Sequence, residues 1–233
     1  MTWLVIVPAR AGSKGVPGKN VAEVGGRPLV AYTLQTSKEV VDATKGAELL
    51  VSTDDERVRA IAEEMGISVP FLRPAALSGD NARSYDFVVH ALDWWARWGK
   101  SFEFVLILQP TCPLRTVDGV RDAMRWLENS PGKDSLISGF RTSAINPDVL
   151  YDPGEEGCAV PIVPTHGAGG RRQEVPEVLV RNGTLYGVRT SFLRQSGKLI
   201  CDRPLFVEMP EADSINVDAP ADLKRLRQRF SDE

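Results

Sequence analysis

Cysteine and histidine are scarce in this chain. Three cysteines (Cys112, Cys158, Cys201) and two histidines (His90, His166) among 233 residues form no CxxC pair and no zinc-like spacing, which argues against a disulfide framework and a His-based metal centre. Cys112, set between prolines in Gln109-Pro110-Thr111-Cys112-Pro113-Leu114-Arg115, reads as a small buried thiol rather than a nucleophile. Excess charge is missing too. A formal net charge of −3 gives no general attraction to nucleic acid. No apolar run approaches the roughly 20 residues of a membrane span, and the N-terminus lacks the charged, apolar, then small pattern of a secretory signal. A cytoplasmic protein without membrane or nucleic-acid partners is expected.

What is present is ordinary for a globular domain, with 42% apolar and 25% charged residues, a balance that argues against disorder. The length suits one sizeable core, so residues 1–233 are read as a single domain. Short runs rich in Val, Ile, Leu or Phe at 3–8, 48–53, 104–108, 135–140 and 184–188 read as strands. Helical patterns fall at 28–40, 55–65, 83–98, 118–128 and about 220–230. Pro28 suits a first helical position, and Thr53-Asp54-Asp55-Glu56 a capped helix start. The alternation predicts an α/β fold: a Rossmann-like, layered, mostly parallel sheet with helices on both faces. The tryptophans 94, 95 and 98 fit core and surface cover of their helix. Residues 145–182, dense in Pro and Gly, exclude a regular helix and read as an excursion, an extended hairpin or a subunit-contact arm.

The most informative stretch is Val5-Ile6-Val7-Pro8-Ala9-Arg10-Ala11-Gly12-Ser13-Lys14-Gly15-Val16-Pro17-Gly18-Lys19-Asn20. A buried-strand pattern gives way to a loop of glycines, cations and a hydroxyl. Glycines let backbone N–H groups approach phosphate oxygens, and Arg and Lys add charge-assisted hydrogen bonds. A nucleotide-binding P-loop is excluded. Five residues separate Gly12 from Gly18, Asn20 follows Lys19 where that motif needs Ser or Thr, and Pro17 removes a donor. In parallel α/β sheets, ligands sit beyond the carboxyl ends of strands. Arg10–Asn20, Thr53-Asp54 and Gln109–Arg115 all fall at such ends.

The pattern Arg-x-Gly-Ser-Lys-x-x-x-x-Lys-Asn resembles the CMP-sialic acid synthetases (acylneuraminate cytidylyltransferases). Leu108-Gln109-Pro110-Thr111-Cys112-Pro113-Leu114-Arg115 is similar to a second family motif, with Cys112 where Ser is usual. Arg181-Asn182-Gly183-Thr184-Leu185-Tyr186 resembles a third, and Asp213 to Leu223 a fourth. The resemblance implies a nucleotide-diphospho-sugar transferase fold, with the excursion at 145–182 as a homodimer arm. It also implies transfer of CMP from CTP to a sialic-acid-like nonulosonic acid, with Mg²⁺ as cofactor and pyrophosphate as leaving group. Pseudaminic or legionaminic acid remains open as acceptor, and so does a nucleotide-binding protein without turnover.

By the same resemblance, Arg10 and Lys19 stabilise the triphosphate, and Ala9, Gly12, Ser13 and Lys14 close around it. Asn20, Arg73 and Ser84 read the nucleotide. Asp80 or Ser84 reads equally as a helix cap. Gln109 is expected to face the sugar, and Arg172 its carboxylate, though Arg171-Arg172 also suits a solvated tip. Asn182-Gly183 also suits a tight turn. Asn216 and Asp218, two apart, are expected to share the metal. The first of these is an acid in the family, and an amide oxygen brings no negative charge. The general base is open between a metal-bound hydroxide and Asp218, and Asp222 reads as helix-start charge.

Overall fold

A computed structural model describes residues 1–155, 158–163 and 177–231. Its centre is a six-stranded sheet. Strand β1 (Trp3–Ala9) lies between β4 (Ala47–Thr53) and β5 (Phe104–Leu108), parallel to both. Strand β9 (Val178–Arg189) runs antiparallel between β5 and β6 (Ser135–Thr142), and β10 (Leu205–Glu208) closes the edge parallel to β6. Every strand of this sheet except β9 therefore points the same way.

Helices cover both faces because successive strand residues point to opposite sides. Trp3, Val5, Phe104 and Leu106 meet Val40 of α1 (Leu29–Asp42) and Val120, Met124 and Leu127 of α4 (Val117–Glu128). Leu4, Ile6, Val105 and Ile107 meet Phe87, Val88 and Leu92 of α3 (Ser84–Ala96) and Leu193 of α5 (Thr190–Ser196). Helix α2 (Glu56–Glu64) packs Val58 and Ala62 against Val7, Val51 and α1. Each such buried aliphatic side chain contributes roughly 2 kcal/mol of apolar transfer. A fourth cluster joins the two ends of the chain: Val16, Val24 and Leu29 pack on Ile215, Val217, Leu223 and Leu226, the last two from α6 (Pro220–Ser231).

The expected elements are present with shifted bounds, and two readings need correction. Pro28 precedes α1 as its cap, paired with Glu23 in a small hairpin of β2 (Glu23–Val24) and β3 (Arg27–Pro28). Asn182-Gly183 is not a turn between strands. It lies inside β9 where the β6 register shifts between Ile137 and Gly139, with Gly183 at φ +79°. Asn182 Oδ1 there accepts Ser138 Oγ at 2.7 Å and Thr184 N–H at 3.1 Å, satisfying the donors that the irregular ladder leaves over. As expected of core and surface cover, Trp94 and Trp95 pack on the core and Trp98 lies on the surface, 70% exposed.

Asp55 caps α2 by accepting the Arg57 N–H, and Asp222 accepts the N–H groups of Asp218 and Ala219 at the start of α6. The excursion leaves the sheet where Thr142 pairs with Val178 and carries a short antiparallel ribbon, β7 (Tyr151–Pro153) against β8 (Ala159–Pro161). Among the described residues no helix is long and apolar enough to cross a membrane.

Candidate active site

The loop after β1 is held at both ends. Asn20, buried, donates from Nδ2 to the Arg10 carbonyl at 3.0 Å, and the Ala11 N–H donates to Asp54 Oδ1 at 2.8 Å. Thr53 Oγ1 donates to the Ala9 carbonyl, so Ala9 belongs to the buried strand end beneath the loop. Between these ends Gly18 takes φ +65° and Lys19–Val21 forms a single 3-10 turn. A Cβ on Gly15 would stand 1.9 Å from the Asp218 carbonyl oxygen, while one on Gly12 would meet nothing within 4 Å. The loop thus lies directly on the segment that leads into α6.

Pro8, Arg10, Gly12, Ser13, Lys19 and Asn20 line one wall of a cleft of about 270 Å³, and Arg73, Gly79, Asp80, Ser84, Phe87, Gln109 and Thr111 line the rest. A larger cavity of about 500 Å³, bordered by Tyr32, Leu114, Val207 and Phe230, contains none of the residues from Arg10 to Asn20. The smaller cleft is where cations, amides and hydroxyls converge.

Arg73 forms the floor. Its Nε donates to Ser52 Oγ at 2.9 Å, Nη2 donates to the Ser52 carbonyl, and its guanidinium stacks 4.7 Å over the Phe87 ring. Burial lowers its pKa to about 10, with Asp54 opposing that shift and Arg10 adding to it, so it stays a fixed cation at neutral pH. Ser84 is the first residue of α3 and Arg83 its cap, so the residue that faces the cleft is not the one that closes the helix.

Lys19 reaches across to the far end of the chain. Its Nζ donates to the Val217 carbonyl at 2.9 Å and to Asp218 Oδ1 at 3.0 Å. Asn216 Nδ2 donates to the other oxygen of Asp218, and the Val217 N–H donates to the Thr111 carbonyl at 2.8 Å. Cys112 is fully buried beneath this turn. Its thiol sits 3.1 Å from the Asn182 carbonyl, and burial raises its pKa, so it is a packing group. Arg115 Nη2 donates to the carbonyls of Gln109 and Cys112, fixing the turn that presents Gln109. Arg172 lies outside the described residues.

Asn216 and Asp218 come together, but they do not fit a free-standing metal site. Mg²⁺ takes six oxygens in near-octahedral array. Here one carboxylate already accepts from an ammonium and an amide, and no group of three His, Cys, Asp or Glu side chains converges among the described residues.

Sequence reasoning did not foresee how Asp80 and Asp54 engage the loop. Asp80 Oδ1 pairs with Arg10 at 3.2 Å and Oδ2 with Lys14 at 2.8 Å. Lys14 itself is not part of the cleft wall and is 80% exposed. The available signal was position: Asp54 at the carboxyl end of a strand and Asp80 just ahead of an apolar helix.

A six-stranded, mostly parallel sheet flanked by helices, with a cation-rich loop after its first strand and a polar cleft at the strand ends, makes this a Rossmann-like, layered α/β protein. Solved structures of that kind share the fold. CMP:2-keto-3-deoxy-manno-octonic acid synthetase complexed with CTP superposes with a TM-score of 0.70 at 19% identity, covering 100% of this chain and 99% of that one. The 4-diphosphocytidyl-2C-methyl-D-erythritol synthase of Anaerococcus prevotii gives 0.65 at 14%, covering 99% and 98%. The family model described as Cytidylyltransferase matches residues 4–94. The N-acylneuraminate cytidylyltransferase of Streptococcus agalactiae serotype V is 33% identical over 223 residues, 95% of this chain and 52% of that protein. The CMP-N,N'-diacetyllegionaminic acid synthase of Legionella pneumophila is 36% identical over 124 residues, 53% of this chain and 52% of that protein. The chain is thus similar to cytidylyltransferases, CMP-sialic acid synthetases among them. It spans about half the length of the curated relatives it matches.

Proposed function

We propose that this chain transfers CMP from CTP to the anomeric hydroxyl of a sialic-acid-like nonulosonic acid. The observation that carries the reading is the single cleft that gathers Arg10, Gly12, Ser13, Lys19 and Asn20 with Arg73, Ser84 and Gln109. The anomeric oxygen forms a bond to the α-phosphorus of CTP. The bond from that phosphorus to the bridging oxygen breaks, and pyrophosphate leaves with its electron pair. The hydroxyl proton passes to Asp218 or to water.

In this reading Arg10 and Lys19 neutralise the triphosphate, and the buried Arg73 adds a fixed positive charge. Gly12, Ser13 and Lys14 close over the phosphates, and Asn20 and Ser84 meet the nucleoside. Gln109 can both donate to and accept from sugar hydroxyls, and Arg172 is proposed to hold the sugar carboxylate bidentately. Because Asn216 and Asp218 offer too few anionic ligands alone, Mg²⁺ is proposed to arrive on CTP as part of the substrate. We place the reaction in the cytoplasm, a reading supported by three unpaired cysteines.

Incubation with CTP, Mg²⁺ and a panel of sialic, legionaminic and pseudaminic acids, read by pyrophosphate release, tests the proposal. Release with one of the three identifies the acceptor. CTP binding without release under any of them would point to a nucleotide-binding protein without turnover.

A homodimer through the excursion is proposed on the apolar side chains it exposes. Val149 is 64% accessible, Tyr151 48%, Val160 52% and Ile162 51%, a density unusual for a solvated ribbon. Light scattering is expected to give twice the chain mass, and half that value for Val160→Asp combined with Ile162→Asp. A parent protein that runs as a monomer sinks this part of the proposal.

A further inference from the structure

The positive charge that the first loop offers a polyphosphate is already countered by the protein itself. Asp80 uses both oxygens, one on Arg10 at 3.2 Å and one on Lys14 at 2.8 Å. Arg10 Nη1 also donates to the carbonyls of Ser78 and Gly79, at 3.5 and 3.2 Å. All these acceptors belong to one short segment that follows the 3-10 turn Ala75–Leu77 and borders the same cleft. The two cations hold the Asp80 carboxyl below its usual range. Both pairs are open to water, with Asp80 at 49% and Lys14 at 80% side-chain exposure, so an incoming anion displaces them at little cost. The remaining loop cation, Lys19, is committed elsewhere, to Val217 and Asp218.

We infer that Asp80 is a specificity-determining residue that competes with the pyrophosphate portion of the nucleotide for Arg10 and Lys14, and re-pairs with them as pyrophosphate leaves. The inference rests on the CTP-dependent reaction proposed above. It assigns Asp80 a function in the catalytic cycle: it weakens the grip on triphosphate and on pyrophosphate by the same factor, so the leaving group does not stay trapped on the cations that helped expel it. A nucleoside monophosphate, which lacks that portion, does not compete with Asp80.

Calorimetric titration of the parent chain and of Asp80→Asn with pyrophosphate, CTP and CMP tests this. Asn keeps the size and one acceptor oxygen while removing the charge. Pyrophosphate and CTP are expected to bind Asp80→Asn about three- to tenfold more tightly, with the gap narrowing at high salt, and CMP to bind both proteins alike. Asp80→Glu, which restores the charge, is expected to return pyrophosphate affinity to the parent value. A merely structural role would move all three ligands together. Unchanged or weaker pyrophosphate binding in Asp80→Asn overturns the inference. If the parent does not bind CTP, it is the proposed reaction that fails, and the pyrophosphate comparison still decides the competition.

Discussion

Lys19→Ala is expected to lower turnover about 10²- to 10³-fold, the usual loss when one preorganised donor to a transition-state charge is removed. The lysine stands where the loop meets the α6 segment, 16% exposed, with its ammonium on Val217 and Asp218. In the proposed reaction it turns from that carboxylate to a phosphate. Its structural share is small. Losing a half-buried pair and a carbonyl contact costs about 1 kcal/mol, which in a domain of this size lowers the melting temperature by roughly 2–4 °C. Steady-state rates at saturating CTP, taken beside thermal unfolding, separate the two effects. A variant as fast as the parent removes Lys19 from the chemistry. A variant that unfolds tens of degrees early makes it a structural staple instead.

Gly15→Ala is expected to be nearly as damaging for a different reason. The added methyl would fall 1.9 Å from the Asp218 carbonyl oxygen, well inside contact distance and against backbone rather than a yielding side chain. Either the loop or the segment before α6 must shift by more than about 1 Å, and a misplacement of that size costs on the order of 10²-fold in rate. The loss should appear in kcat more than in CTP affinity, because the cations remain. Gly12→Ala, whose methyl meets nothing, should melt at the parent temperature. Equal activity in Gly15→Ala and the parent would mean that the loop and the α6 segment do not need this contact.

Much of the fold was legible because its signals are local. The apolar runs of β1, β4, β5 and β6 are short and bounded, and α1 to α4 show helical spacing with Asp55 capping one of them. What escaped was short or two-faced. Strand β10 has four residues directly after Pro204, α5 has seven, and the first half of β9 alternates exposed and half-buried side chains until Asn182. The expectation that the loop from Arg10 to Asn20 meets phosphate rests on its glycines and cations and on its place directly after the first strand. The loop's partners were not legible. Asp80 lies 70 residues from Arg10 and Asp218 lies 199 from Lys19, and no periodicity encodes contacts at that range. Asn20 shows the limit from the other side. The sequence marks it as part of the motif, but only geometry reveals that its amide clamps the loop's first carbonyl.

The apolar cluster that seats Val16, Val24 and Leu29 on Ile215, Val217, Leu223 and Leu226 also sets the order of events at the ribosome. A nascent chain can pair β1 with β4 and β5 well before residues 215–226 emerge, yet Lys19 has no seat until they do. The first loop is therefore completed only once residues 215–226 have been made.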